Sequence, residues 1–413
     1  MSKQNIMSNS NINKLNTSQN GMLSKVPEVT IYFWIIKILC TTVGETASDF
    51  LKVNLGLGLI GTSVAMGICL LAVLFFQFRA NKYIPSIYWL AVVLISIFGT
   101  LITDNLTDSL GVPLEISTLV FTVALAITFA IWFAVEKTLS IHSILTRRRE
   151  SFYWLAILFT FALGTGAGDL MAESLGLGYL VTGIIVCAVI ATITIAWRMG
   201  LDAVLAFWIA YILTRPLGAS LGDYLSQSHV NGGLGLGASI ASAIFLVAIL
   251  AVVIYLTYTH RDYIPSTAIT DTAAEKPSAV VWQVVVVMAV LVIASGTGYY
   301  WRTAQLRVQT ATVVTPTAPL GNLSAFRQIA QDTLALVQAG DMSRAKTRIG
   351  DLEFAWDNAA ARLRSMNREK WTSVDDSIDI VLRRLRAVQQ DPSACIKSLE
   401  SLIAVLDALD KQQ

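Results

Sequence analysis

The sequence predicts an all-α, polytopic membrane protein. It has about nine transmembrane helices, built as four parallel helical-hairpin repeats plus one anchor helix, followed by an extracytoplasmic helical bundle. Three observations predict this. Apolar runs of about 20 residues, the length that crosses a bilayer core as a helix, recur through most of the 413-residue chain. Hydrophobic residues make up 54% and charged residues 14%, with a mean hydropathy of +0.61; a soluble domain carries about a quarter charged residues. A tryptophan–glycine–aspartate pattern also returns four times in one register.

Residues 1–28 are polar and rich in Asn and Ser, and read as a disordered cytoplasmic tail without a signal peptide. Apolar spans follow at 31–51, 57–78, 86–106, 114–135, 152–172, 177–197, 201–224 and 234–258, with an anchor at 279–300. The first two repeats occupy 29–135 and the last two 152–260, separated by a basic loop at 136–151. A second loop at 261–278 leads to the anchor. Arg79, Lys82, Lys137, Arg147, Arg148, Arg149, Arg198 and Arg261 all fall on one side of this layout. By the positive-inside rule that side is cytoplasmic in a bacterial inner membrane, which places the carboxyl terminus outside.

Aligned on tryptophan, the odd spans read W-x9-G-x4-D: Trp34/Gly44/Asp49, Trp89/Gly99/Asp104, Trp154/Gly164/Asp169 and Trp208/Gly218/Asp223. A glycine follows seven residues after the aspartate in three copies, at Gly56, Gly111 and Gly176, and copies one and three read LGLG, ending at Gly58 and Gly178. Two spans per unit preserve direction, so the copies are parallel repeats about an axis along the membrane normal, not an inverted pair. Mid-span glycine lets helix backbones approach closely, and the Gly-Leu-Gly segment suits a tight turn.

Positions three, seven, eleven and fifteen after each tryptophan share one slowly drifting helix face. They are Lys37, Thr41, Glu45, Asp49; Val92, Ser96, Thr100, Asp104; Ile157, Phe161, Thr165, Asp169; and Tyr211, Arg215, Ala219, Asp223. A polar stripe on an otherwise apolar helix faces protein or water. The acids also pair at i, i+4: Glu45 with Asp49, Asp104 with Asp108, Asp169 with Glu173. Such pairs suit proton exchange or a hard, oxygen-liganded cation such as Mg²⁺, Mn²⁺ or Ca²⁺. The bland alternative is that the aspartates only accept hydrogen bonds near the ends of their spans. Lys37 and Arg215 are the deep cations, and Arg215 is the expected neutraliser of Glu45 or Asp49.

At these residues the sequence resembles a bacterial family of membrane-anchored proteins built from a short repeat of unknown function. Its pattern, Lys-x6-Gly-Glu-Thr-x2-Asp followed by Leu-Gly-Leu-Gly, is matched here by Lys37, Gly44, Glu45, Thr46, Asp49 and 55–58. The closing copy is similar over 214–225 and 232–237, whereas the middle copies have Thr100 and Thr165 in place of the glutamate. The resemblance implies the repeat architecture and no activity.

Beyond a Thr/Pro-rich linker at 301–322, residues 323–413 pattern as a four-helix bundle. Cys40, Cys69, Cys187 and Cys395 have no metal spacing, and His142, His229 and His260 are scattered. A net charge of +2 gives no basis for a nucleic-acid partner. Without a catalytic constellation, phosphate loop or dinucleotide fingerprint, neither an enzyme nor a cofactor is expected. The first expectation is a gradient-driven secondary transporter for a small cation, divalent or proton-coupled, in an acidic cleft. The alternative is a non-transporting scaffold or sensor whose outer bundle binds a partner protein.

Overall fold

The computed structural model describes residues 24–54, 58–110, 112–226, 234–262, 277–311, 320–387 and 390–410. Gly56, Gly111, His229 and the side chains of Asp108 and Glu173 lie outside the described residues. Thirteen α-helices are present among those described. The membrane part comprises α1 (Ile31–Asn54), α2 (Gly58–Arg79), α3 (Pro85–Asp104), α4 (Leu114–Glu136), α5 (Arg147–Asp169), α6 (Tyr179–Arg198), α7 (Ala203–Ser226), α8 (Ala238–Thr259) and α9 (Pro277–Ala311). Eight of these are long and apolar enough to cross a membrane. The ninth, α1, carries Lys37, Glu45 and Asp49 and is too polar for that test, yet it sits inside the bundle.

Local sequence explains the helix ends. Pro85 opens α3, where its missing N–H costs nothing. Thr146 caps α5 by accepting from the Arg149 backbone N–H at 3.3 Å. Gly58, Gly178 and Gly237 start α2, α6 and α8 with φ of +68°, +74° and +75°, a left-handed conformation that glycine adopts without a Cβ penalty. In the third and fourth repeats, where the whole LGLG is described, it is therefore the reversal between the two helices of a repeat.

The odd helices form a closed ring: α1 packs on α3, α3 on α5, α5 on α7, and α7 back on α1. The even helices form an outer layer, but not where a simple hairpin would put them. Each lies mainly against the odd helix of the next repeat: α2 on α3, α4 on α5, α6 on α7, and α8 on α1. The apolar window of α3 or α7 is 67% buried within the protein, against 11% for α2 and 17% for α6. Exposed Ile68, Leu71, Phe75, Ile184 and Val247 give the outer layer the apolar surface that lipid requires.

Helix α9 rides on the periphery. Gln283 accepts from the Asp202 N–H at 2.8 Å, and Arg302 donates to the carbonyls of Leu175 (2.7 Å) and Gly176 (2.9 Å) in the third LGLG turn. The carboxyl-terminal bundle consists of α10 (Ser324–Gln338), α11 (Met342–Met366), α12 (Arg368–Arg386) and α13 (Pro392–Asp410). Its core includes Trp356 stacked on Trp371 at 6.2 Å, with the Trp356 indole N–H donating to Asp375 at 2.9 Å. Helix α11 rests on residues Leu170–Ser174 and α12 on α1, so the bundle sits at the aspartate end of the ring.

The opposite, tryptophan end departs from expectation. Residues 24–28, assigned by composition to a disordered tail, instead form a strap tied to three inter-helix connections. The Tyr83 N–H donates to the Ser24 carbonyl (3.0 Å), Lys25 N–H to the Ile144 carbonyl (3.3 Å), and Glu28 N–H to the Asp262 carbonyl (2.8 Å). Buried Lys25 pairs with buried Glu150 at 2.7 Å, and Gln77 donates to the same carboxylate at 3.0 Å. Tyr83 donates to Asp262 at 2.5 Å, while burial raises the Asp262 carboxyl above its usual range. The composition of the tail conceals a single buried cation that finds its counter-ion 125 residues away. Lys25→Met leaves the Glu150 charge buried alone, at a cost of about 3–5 kcal/mol. Thermal unfolding in detergent should show a large loss for that variant and partial recovery when Glu150→Gln is added. Equal melting of the single and double variants would refute the pairing.

Candidate functional site

The repeat register generates the centre of the ring. Every mid-span glycine faces the residue seven positions after the tryptophan in the next repeat. A Cβ on Gly44 would lie 1.8 Å from Ser96 Oγ, one on Gly99 2.8 Å from Phe161 Cβ, one on Gly164 2.5 Å from Arg215 Cβ, and one on Gly218 1.9 Å from Thr41 Oγ1. The last contact closes the circle. Glycine is thus the notch into which the neighbouring helix fits, and the stripe residues are turned inward by that fit.

Four levels follow from this along the ring. At the tryptophan end lies an aromatic level made by the residue preceding each tryptophan: Phe33, Tyr88, Tyr153 and Phe207. The Tyr88 and Tyr153 hydroxyls hydrogen-bond to each other, and Phe33 lies 6.0 Å from Phe207. This fourfold aromatic was absent from the tryptophan–glycine–aspartate reading, although F-W, Y-W, Y-W and F-W are visible in the sequence.

Lys37 occupies the second level. It is 1% exposed, with its amine 3.6 Å from the Phe161 ring centroid and 4.1 Å from that of Tyr211. The third level is built on Arg215, whose guanidinium spans three repeats. Nη2 donates to Glu45 Oε2 and to Thr100 Oγ1, each at 2.5 Å, and Nη1 to the Thr41 carbonyl at 3.3 Å. The absence of a side chain at Gly164 makes room for the Arg215 stem. Arg215 therefore meets Glu45, the first of the two carboxylates that the sequence offered it.

The fourth level, at the end opposite the tryptophans, is acidic. Glu45, Asp49 and Asp223 each bring a carboxylate oxygen within 4.8 Å of the others, a spacing able to hold one metal ion. They come from the first and last repeats, where α1 meets α7. Asp104 is buried and Asp169 half-buried, but neither belongs to this group. Just beyond those two aspartates the chain passes into π-helical turns, Asn105–Ser109 and Leu170–Ser174. The expected i, i+4 pairs Asp104/Asp108 and Asp169/Glu173 run from the end of an α-helix into these turns, and their second members' side chains lie outside the described residues. Glu45 and Asp49 both lie within α1 and share one face.

The other stripe hydroxyls serve the helices. Thr41 Oγ1 donates to the Ile38 carbonyl (2.6 Å) and the Thr214 carbonyl (3.2 Å), and Thr165 to the Phe161 carbonyl (3.0 Å). Ser96 Oγ is buried and makes no hydrogen bond among the described residues. Thr46, the threonine of Gly-Glu-Thr, accepts from Ser242 at 2.7 Å and so joins α1 to α8.

A ring of quasi-equivalent apolar units enclosing a charged axis defines a multi-pass membrane protein of the internal-repeat kind. The chain belongs to the family described as Repeat of Unknown Function (DUF347), which matches it four times, at residues 32–83, 87–138, 152–199 and 206–262, just over half of its length. No curated protein and no solved structure matches it.

Proposed function

We propose that this protein is a secondary transporter of a small divalent cation, with Glu45, Asp49 and Asp223 as the ligands. The observation that carries the reading is the meeting of these three carboxylates within 4.8 Å on the inner ring, with a guanidinium bound to one of them. Three carboxylate oxygens converging on one point form an all-oxygen ligand set, which suits a hard divalent ion such as Mn²⁺, Mg²⁺ or Ca²⁺. Intramembrane acids are costly to keep and are usually retained for ions. In the inner-membrane orientation argued from loop charges, the strap and aromatic level face the cytoplasm and the carboxylates face outward. The protein then rests closed inside and loaded from outside, and a gradient drives it.

The test is uptake of Mn²⁺ by proteoliposomes containing the purified protein. Glu45→Gln, Asp49→Asn and Asp223→Asn each lose at least tenfold in uptake and in Mn²⁺ affinity, the scale expected when one charge-assisted ligand goes. Asp104→Asn and Asp169→Asn retain Mn²⁺ binding. Wild-type protein that neither binds nor moves Mn²⁺, Mg²⁺ or Ca²⁺ refutes the reading. The packing of α11 and α12 on the aspartate end favours a second reading, a scaffold whose outer bundle binds a partner protein. In that case deletion of 323–413 abolishes function while the three carboxylate variants behave as wild type.

A further inference from the structure

We propose that Lys37 is the proton-carrying group of this transporter, protonated when the carboxylate site is empty and deprotonated when the cation is bound. The inference rests on the cation-transport reading above and adds the identity of the coupling ion and of its site.

Lys37 is the one buried cation of the ring that no carboxylate neutralises among the described residues; Arg215 has Glu45 and Lys25 has Glu150. The Lys37 amine instead sits against two aromatic rings, 3.6 Å from the Phe161 centroid and 4.1 Å from that of Tyr211. Its surroundings are the faces of Phe161 and Tyr211, the Cys40 thiol one turn along α1, and the Arg215 guanidinium from α7. Tyr153 and Tyr88, from α5 and α3, adjoin Tyr211. The amine lies buried between two aromatic faces, a setting that holds a cation without an ion pair. A group so held can give up its proton without stranding a carboxylate partner, whereas one locked in an ion pair cannot.

Position supplies the coupling. Lys37 lies eight residues before Glu45 on the same helix, about 12 Å of rise. At that separation and an effective dielectric of about 20, one positive charge alters the affinity for another on the order of tenfold, and for a divalent ion by more. Linkage makes this reciprocal: bound cation expels the proton, and a proton on Lys37 expels the cation. The amine gains H⁺ to become an ammonium and returns it as H⁺, so no other reactant is needed. Lys37 also stands between the carboxylates and the aromatic level, so a single site can serve protons from the end opposite to the cation entrance.

The experiment compares wild type, Lys37→Met and Lys37→Arg in two assays, Mn²⁺ affinity in detergent from neutral to alkaline pH and Mn²⁺ uptake by proteoliposomes with and without a pH gradient. Wild type gains on the order of a hundredfold in Mn²⁺ affinity as pH rises and takes up Mn²⁺ faster when the gradient is imposed. Lys37→Met binds Mn²⁺ with no such slope, and its uptake ignores the gradient. Lys37→Arg keeps a permanent charge and the ring contacts; it binds Mn²⁺ on the order of a hundredfold more weakly than Lys37→Met at every pH, which guards against misreading a folding defect in the uncharged variant. Gradient-driven uptake or an unchanged pH slope in either variant overturns the coupling role while leaving the cation site standing. Failure of wild type to bind Mn²⁺ at all overturns the cation site and the coupling together.

Discussion

Arg215→Met is expected to be the most damaging single substitution in the ring. The guanidinium is fully buried and binds Glu45, Thr100 and the Thr41 carbonyl, so its loss affects α1, α3 and α7 together. Breaking a buried pair by removing one partner costs about 3–5 kcal/mol, because the remaining charge is stranded. Methionine fills the space beside Gly164 but offers no donor. Arg215→Lys retains the charge, yet a single ammonium on a flexible stem does not reproduce the planar fork that reaches three acceptors. The order of thermal stability in detergent is expected to be wild type, then Arg215→Lys, then Arg215→Met. Adding Glu45→Gln to Arg215→Met is expected to restore part of the loss while Mn²⁺ uptake stays absent. Wild-type melting of Arg215→Met would show that the pair does not hold the helices.

The second large effect is expected at the glycine notches. On Gly44, a methyl would overlap Ser96 Oγ at 1.8 Å and approach the Ser96 backbone carbon at 3.0 Å. On Gly218 it would overlap Thr41 Oγ1 at 1.9 Å and approach the Thr42 backbone nitrogen at 3.0 Å. Side chains can rotate away, but backbone atoms move only if a whole helix moves. Overpacking typically costs about 1–3 kcal/mol, and these sites belong at the upper end. Gly44→Ala and Gly218→Ala should therefore melt early. Thr41→Gly should partly rescue Gly218→Ala, since it removes the overlapping hydroxyl and Cβ. Gly296→Ala in α9, where an added methyl meets nothing within 4 Å, should be neutral or slightly stabilising. Equal melting of all these variants would contradict the closed ring.

Much of this arrangement was legible residue by residue. The four-residue spacing of Lys37, Thr41, Glu45 and Asp49 defines one face of α1, and the polar content of that face in a lipid-spanning helix directs it inward. The recurrence of Trp34, Trp89, Trp154 and Trp208 fixes equivalent levels in four helices. The meeting of Glu45 with Asp49 and Asp223, to the exclusion of Asp104 and Asp169, was not legible. Four copies of one spacing contain no statement of which copies are neighbours, nor of where α-helix yields to a π turn. The strap escaped notice because its stability resides in Lys25 and its partners Glu150 and Gln77, which are remote in sequence.

By itself, the sequence determined the all-helical membrane class, the four parallel repeats, the inward polar stripe and the helical carboxyl-terminal bundle, because periodicity and hydropathy are local properties that lipid and helix geometry read directly. Only the tertiary structure decided that each returning helix leans on the next repeat, that glycine receives the neighbour's seventh residue, and that the fourth repeat closes on the first. Those choices depend on steric fit between helices distant along the chain: a missing Cβ at one site and a guanidinium of sufficient length at another.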